Sequence, residues 1–334
     1  MARNSLTATL GGALRGYPAV YVVHDRNVAR YAEQIAALGA RRGSAPYPCY
    51  ALTADEAHKD MDTVLGICRW LLEQGADRKA LVLAVGGGVT TDMAGLAACL
   101  YKRGVRYANV PTTLLAQVDA GIGGKTGVNL DGYKNILGVI RQPEFTCILP
   151  ETLQTLPERE FRSGVAELLK TFLICDRQHY GQAIGFLKEC GGRPDADDPR
   201  LAALIEAAAA IKSAIVEEDE QEQGRRRVLN FGHTFAHAIE WYQHTHACAA
   251  PLTHGEAVAV GMVQAARLGE GLGVTQPGLA AQLSEDFAAC GLPVELPCPE
   301  EALRQAIRKD KKAEGAQVHY VLPVRIGKVI IKKL

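Results

Sequence analysis

"VLAVGGGVTTDMAG", residues 82–95, decides the fold of the N-terminal half. A short apolar run ends in three glycines and passes directly into helical periodicity, the order of a strand, a tight turn and a helix. Glycines lack Cβ, so the backbone can turn sharply and approach a ligand closely. The helix N-terminus that follows offers unpaired N–H groups and a partial positive charge, a combination suited to a pyrophosphate. The spacing is not the GxGxxG fingerprint of the common dinucleotide fold, so a relative of that fold is expected.

On either side of this turn, strand-like runs at 19–23, 49–53, 80–85, 107–111 and 146–150 alternate with helical patterns at 28–40, 60–76 and 92–104. Strand–helix alternation implies an α/β domain with a mostly parallel sheet. Past residue 150 the pattern becomes helical, at 160–175, 201–219, 231–243, 256–271 and 301–309, with a polar loop at 191–200. The tail "VHYVLPVRIGKVIIKKL" is expected to form a small strand pair. The expectation is α/β plus all-α: a Rossmann-like parallel-sheet domain over residues 1–155 and a helical domain over 156–334.

Composition narrows the function. Of 334 residues, 48 % are hydrophobic and 22 % charged, an ordinary globular balance. Lysine plus arginine, 37, equals aspartate plus glutamate, 37, which argues against a nucleic-acid-binding surface. Nine cysteines form no CxxC pair and read as reduced cytoplasmic thiols. "MARNSLTATL" lacks the apolar core of a secretion signal. No stretch reaches the roughly 20 apolar residues needed to span a bilayer, so no membrane partner is expected.

Two further regions carry chemistry. "VPTTLLAQVDAGIGGKTGVNLDGYKN", 110–135, reads as a long functional loop whose Asp119, Lys125, Asn129, Lys134 and Asn135 suit a substrate with phosphate, carboxylate and hydroxyl groups. In the helical half, Glu167 and Lys170 share one face of an apolar helix, where either charge alone would be costly to bury. "VLNFGHTFAHAIE", 228–240, places His233 and His237 on one helix face, and His254 opens the helix of "LTHGEAVAVG". One carboxylate and two imidazoles would leave an open position, as in catalytic Zn²⁺ sites, though spacing alone cannot show that Glu167, His233 and His254 converge. His233 and His237 could be two ligands, a ligand and a proton-transfer group, or hydrogen-bonded core histidines. His244 and His246 read as loop residues.

Taken together, "GGGVTTDMAG", "VPTTLLAQVDAGIGGKTGVN", "LPEREFRSGVAELLK", "LNFGHTFAHAIE" and "THGEAVAVGM" resemble the 3-dehydroquinate synthase family, in the family's order over residues 80–265. The resemblance implies NAD⁺ bound by the α/β domain and a divalent metal, Zn²⁺ or Co²⁺, bound by the helical domain. It implies 3-deoxy-D-arabino-heptulosonate 7-phosphate as substrate, 3-dehydroquinate and phosphate as products, a place in the shikimate pathway, and a homodimer. By motif, the metal ligands would be Glu167, His233 and His254, leaving His237 as an acid/base or phosphate-contacting group. Substrate contacts would be Asp119, Lys125, Lys134, Asn135, Lys170, Lys212, Arg226, Asn230 and His237, with Glu222 beside the cationic cluster and Lys311 or Lys312 as another lysine. Arg103 matches an arginine that a neighbouring subunit supplies in some relatives. Cofactor contacts would be Asp25, Glu56, Lys59, Gly87, Gly88, Val89, Asp92, Thr112, Thr113, Lys125, Lys134 and Thr155.

Thr90 and Thr91 depart from the family, which favours an apolar residue and then glycine. Thr91 is expected to narrow the pyrophosphate approach or to cap the helix. The N-terminus is short for the family, and a trimmed edge strand is expected. The competing readings are sugar-phosphate cyclases that make inosose or valiolone compounds, metal-dependent polyol dehydrogenases, which lack "GGKTGVN", and a non-catalytic nucleotide sensor.

Overall fold

The structure, a computed structural model, describes residues 5–41, 45–131, 133–246, 248–314 and 319–334; the side chains of residues 5, 41 and 308–314 are not among those described. The chain divides into two compact units, Met1–Leu156 and Pro157–Leu334.

The first unit is built on β1 (Val20–Asp25), β2 (Cys49–Leu52), β3 (Leu81–Gly86) and β4 (Arg106–Pro111), all parallel, in the order β2-β1-β3-β4. The alternation of side chains along β3 explains its continuous apolar run. Val82 and Ala84 pack with Val64, Ile67, Leu71 and Met93 of α3 (Met61–Glu73) and α4 (Gly88–Leu100). Leu81, Leu83 and Val85 pack on the other face with Leu6, Leu10 of α1 (Ser5–Ala13) and Ile35 of α2 (Ala29–Arg41). A sheet covered on both faces is the expected partner of a β-branched strand without polar alternation.

Because β1 leads outward to β2 and the chain then returns across β1 to β3, the topology switches direction between β1 and β3. In open parallel sheets, ligands bind outside the carboxyl ends of the strands at such a switch. The ends of the four strands here are Asp25, the segment after Leu52, Gly86–Gly88 and Pro111–Thr113.

Two expectations are corrected in this unit. Residues 146–150 form no strand: Thr146 makes a single parallel bridge to Asn109, and Pro150 opens a short helical turn. Residues 110–135 are not an open loop. They hold a π-helical turn, Ala116–Ala120, and then the antiparallel hairpin β5 (Lys125–Leu130) and β6 (Tyr133–Ile140).

The second unit contains α5 (Glu158–Cys175), α6 (Arg177–Glu189), α7 (Pro199–Glu218), α8 (His233–Thr245), α9 (His254–Gly271), α10 (Leu279–Ala289) and α11 (Glu300–Glu314), closed by the hairpin β7 (His319–Arg325) and β8 (Lys328–Lys333). α1, α6 and α10 had no counterpart in the sequence reading. Asp176 both ends α5 and caps α6, its carboxylate accepting from the His179 N–H at 3.0 Å. α8 runs to Thr245, so His244 is helical and His246 caps the helix, stacked on Tyr242, rather than both lying in a loop.

Candidate active site

Three sequence-distant segments of the second unit meet because α9 carries small residues where it touches its neighbours. A Cβ on Gly255 would lie 1.9 Å from the Ser163 carbonyl of α5, and one on Gly261 would lie 2.2 Å from the Gly232 carbonyl at the start of α8. Gly232 itself adopts φ +83°, a left-handed conformation that turns the chain into α8 immediately before His233. The start of α9 is fixed by a capping box between Thr253 and Glu256, and Glu256 is also ion-paired to Arg159 at 2.8 Å.

The result is that Glu167, His233 and His254 each present a ligand atom, all within 4.8 Å of one another. Glu167 is fully buried. Its Oε1 lies 3.5 Å from His254 Nε2 and 3.8 Å from His233 Nε2, and its Oε2 lies 2.5 Å from Lys170 Nζ. The other ring nitrogens are already engaged. His254 Nδ1 lies 3.1 Å from the Glu240 carboxylate and His233 Nδ1 lies 3.3 Å from the Phe231 carbonyl. With each Nδ1 engaged by an outer acceptor, both Nε2 atoms turn toward Glu167. This is the arrangement in which outer acceptors fix the tautomer and orientation of metal-binding imidazoles. One carboxylate and two Nε2 donors suit Zn²⁺ or Co²⁺ with a position left open for an oxygen ligand.

Electrostatics sort the two imidazoles. Burial, reinforced by the Lys170 ammonium, pushes His233 down to about 3, so it is neutral. Burial also disfavours the charged form of His254, but hydrogen bonds to Glu167 and Glu240 outweigh it and raise the group to about 10. His254 therefore carries a positive charge between Glu167 and Glu240, which marks a site that favours a cation. His237 is exposed and one turn along from His233, with ring centroids 5.6 Å apart. It is not part of the three-residue cluster.

The remaining cationic residues of this unit are arranged by a short loop. Lys212 of α7 and Arg226 are both buried. The Asp219 carboxylate accepts backbone N–H bonds from Gln223 at 2.9 Å, Gly224 at 2.8 Å and Arg226 at 3.0 Å, and these hold its carboxyl below the ordinary range. Arg226 donates to the Glu220 carbonyl at 2.6 Å. Glu222, at φ +56°, accepts from Asn230 Nδ2 at 2.8 Å. Lys311 and Lys312 belong to α11, but their side chains lie outside the described residues.

In the first unit, the expected cofactor residues gather at the carboxyl ends of the strands. Gly87 precedes α4 as its N-cap, and Gly88 and Val89 form its first turn. Lys59 is buried, 2.6 Å from Asp92 of α4 and 2.6 Å from the Asn135 side-chain oxygen. Thr112 is buried, and Thr113 accepts the Ala116 N–H at 3.1 Å. Asp25 ends β1 and caps the turn after it by accepting from the Asn27 N–H. Glu56 accepts from Asn129 at 2.9 Å. Thr155 is exposed in the turn before α5. Asp119 lies in the π-helical turn, while Lys125 and Lys134 are exposed on the hairpin. Thr91 does not cap the helix. It is buried inside the first turn of α4, its hydroxyl donates to the Gly88 carbonyl at 3.0 Å, and the cap position belongs to Gly87.

Three candidate residues, Arg103, Asn135 and Glu222, have φ of +66°, +53° and +56°. Non-glycine residues held there cost about 1–3 kcal/mol each and concentrate at functional sites. Sequence reasoning missed Glu240 as a partner of the site, although its place seven residues after His233 on the same helix was a usable signal.

Residues 49–163 match the family model described as 3-dehydroquinate synthase N-terminal, and residues 164–313 match that described as 3-dehydroquinate synthase C-terminal. The chain belongs to the 3-dehydroquinate synthase family. A 3-dehydroquinate synthase of Synechococcus sp. is 40 % identical over 291 residues, covering 85 % of this chain and 76 % of the relative. Among solved structures, the 2-epi-5-epi-valiolone synthase of Streptomyces hygroscopicus subsp. jinggangensis, with NAD⁺ and Zn²⁺ bound, superposes with a TM-score of 0.84 at 32 % identity, covering 95 % of this chain and 87 % of that one. A 2-deoxy-scyllo-inosose synthase complexed with carbaglucose-6-phosphate, NAD⁺ and Co²⁺ shares the fold, with a TM-score of 0.82 at 24 % identity over 95 % of this chain and 88 % of that one. Among the described residues, no helix is long and apolar enough to cross a membrane.

Proposed function

We propose that this member of the 3-dehydroquinate synthase family converts 3-deoxy-D-arabino-heptulosonate 7-phosphate into 3-dehydroquinate and phosphate. It would act as a carbon–oxygen lyase, in the cytoplasm, as a homodimer. The observation that carries the reading is the meeting of Glu167, His233 and His254 within 4.8 Å in a chain matched by both family models.

When bound, NAD⁺ would supply reversible oxidation of the C5 hydroxyl, which acidifies the proton on C6 next to the phosphate-bearing C7, and the divalent metal would supply charge stabilisation at substrate hydroxyl oxygens. Glu167, His233 and His254 would hold the metal, with Glu240 and the Phe231 carbonyl keeping both imidazoles aimed. Lys170 balances the buried Glu167 carboxylate and offers an ammonium beside the metal position. Lys212 and Arg226, buried cations with Asn230 held by Glu222, suit the phosphate and carboxylate of the substrate. His237, exposed one turn from His233, is free of the ligand set and can exchange a proton or donate to phosphate. Asp119, Lys125, Lys134, Asn135 and Arg103 would complete substrate binding, the last from a neighbouring subunit. For the rest of the conversion these residues would supply orientation and preorganised charge around the substrate.

The test is phosphate release from the heptulosonate phosphate by purified protein with NAD⁺, with and without EDTA and added Zn²⁺. Metal-dependent release is expected. A folded, metal-loaded protein that binds NAD⁺ but releases no phosphate from this substrate would overturn the reading.

A further inference from the structure

The hairpin and the segment after β2 are joined by a closed ring of hydrogen bonds with Asn129 at its node. The Asn129 N–H donates to the Lys59 carbonyl at 2.8 Å. Lys59 Nζ donates to the Asn135 side-chain oxygen at 2.6 Å. The Asn135 N–H donates back to Asn129 Oδ1 at 2.9 Å. Two arms leave the ring: Asn129 Nδ2 donates to Glu56 Oε2 at 2.9 Å, and Lys59 Nζ to Asp92 Oδ2 at 2.6 Å. The β5–β6 register shifts between Val128 and Leu130, which frees Asn129 from ordinary cross-strand pairing. Asn135 sits at φ +53°, a conformation that persists only when its surroundings over-determine it.

We propose that Asn129 is a positioning residue that orients Glu56 on the cofactor side and Asn135 on the substrate side through one side chain. The inference rests on the cofactor role expected of Glu56 and the substrate role proposed for Asn135. Its amide serves the two sides with different atoms: Nδ2 holds Glu56, and Oδ1 holds the strained Asn135 backbone. A substitution can therefore separate them. Aspartate at 129 keeps the acceptor for Asn135 but sets two carboxylates against each other at Glu56. Alanine removes both bonds.

The experiment measures the Kd for NAD⁺ by isothermal titration, the KM for the heptulosonate phosphate, and thermal melting of wild type, Asn129→Ala, Asn129→Asp, Glu56→Gln and the double variant Asn129→Asp/Glu56→Gln. Loss of a hydrogen bond to a charged group is worth about tenfold or more in binding. Asn129→Ala is expected to weaken NAD⁺ about tenfold and to raise KM by a similar factor. Asn129→Asp is expected to weaken NAD⁺ while leaving KM within about twofold of wild type, because a factor of two is below the loss of one bond. Compared with Glu56→Gln alone, the double variant is expected to bind NAD⁺ within about twofold, because the Gln amide can donate to Asp at 129. NAD⁺ affinity unchanged in Asn129→Ala would overturn the inference while leaving the proposed function standing, as would Asp and Ala variants that behave alike with the double variant binding NAD⁺ far more weakly than Glu56→Gln. Absence of NAD⁺ binding by folded wild type would overturn both.

Discussion

Replacing Glu240 tests whether the outer carboxylate sets the metal site. Its carboxylate lies 3.1 Å from His254 Nδ1, with the Glu240 side chain 10 % exposed and the His254 side chain 34 % exposed. Removing such an outer partner of a metal-binding imidazole costs ~10–100-fold in metal affinity, or ~1.4–2.7 kcal/mol. Glu240→Ala should show that full loss, because nothing then fixes the ring with Nε2 toward Glu167. Glu240→Gln retains an amide oxygen to accept from Nδ1–H but loses the charge, and neutral hydrogen bonds are roughly half as strong as charge-assisted ones. Its affinity should fall between alanine and wild type. The assay is competition between metal-free protein and a chromophoric chelator for Zn²⁺, with circular dichroism to establish that each variant is folded. Zn²⁺ bound as tightly by Glu240→Ala as by wild type would refute the reasoning.

Three other perturbations follow from the same structure. Lys170→Met leaves the fully buried Glu167 without its ammonium 2.5 Å away; the metal-free protein should lose about 3–5 kcal/mol of stability, with Zn²⁺ recovering much of it, and equal melting with and without metal would contradict this. Gly261→Ala places a Cβ 2.2 Å from the Gly232 carbonyl, so it should destabilise by about 1–3 kcal/mol and weaken metal binding by spreading α8 from α9, and an unchanged melting temperature would count against it. Asp219 has a carboxyl held down chiefly by the Gly224 N–H, with the Arg226 and Gln223 N–H groups adding to it; a depressed folded value means its stabilisation is present above the ordinary carboxylate range and is lost as pH falls through the folded value. Wild type should therefore exceed Asp219→Asn in stability at neutral pH and converge with it in acid, and a constant difference across that range would exclude the mechanism.

Much of this was legible in the sequence because the signals were local. The apolar run and glycines of 82–95 specify β3, the turn and α4, and the residue types at 167, 233 and 254 specify a carboxylate and two imidazoles. Their convergence was not legible, since it depends on how closely α9 approaches α5 and α8, a tertiary fact carried by Gly255 and Gly261. The hairpin at 125–140 was hidden for a different reason. β6 is largely exposed and β5 is rich in polar residues and glycine, so neither shows the period-two alternation of a half-buried strand. The Asp131–Gly132 pair between them was a hairpin signal in plain view. Residues 146–150 erred in the opposite direction: they have strand composition, but Pro150 ends the run before it can pair beyond one bridge. The expectation of Thr91 as a helix cap failed because its hydroxyl bonds within its own helix, to the Gly88 carbonyl, a choice that sequence does not reveal.

The most direct measurement is the balance of cofactor against product. Metal-loaded protein is supplied with excess 3-deoxy-D-arabino-heptulosonate 7-phosphate and less than stoichiometric NAD⁺, while phosphate, 3-dehydroquinate and absorbance at the NADH band are followed together. Many phosphates and an equal number of 3-dehydroquinate molecules per NAD⁺, with no net NADH, is the expected result. Phosphate limited to the NAD⁺ supplied, with NADH accumulating in step, would contradict it and identify a dehydrogenase instead.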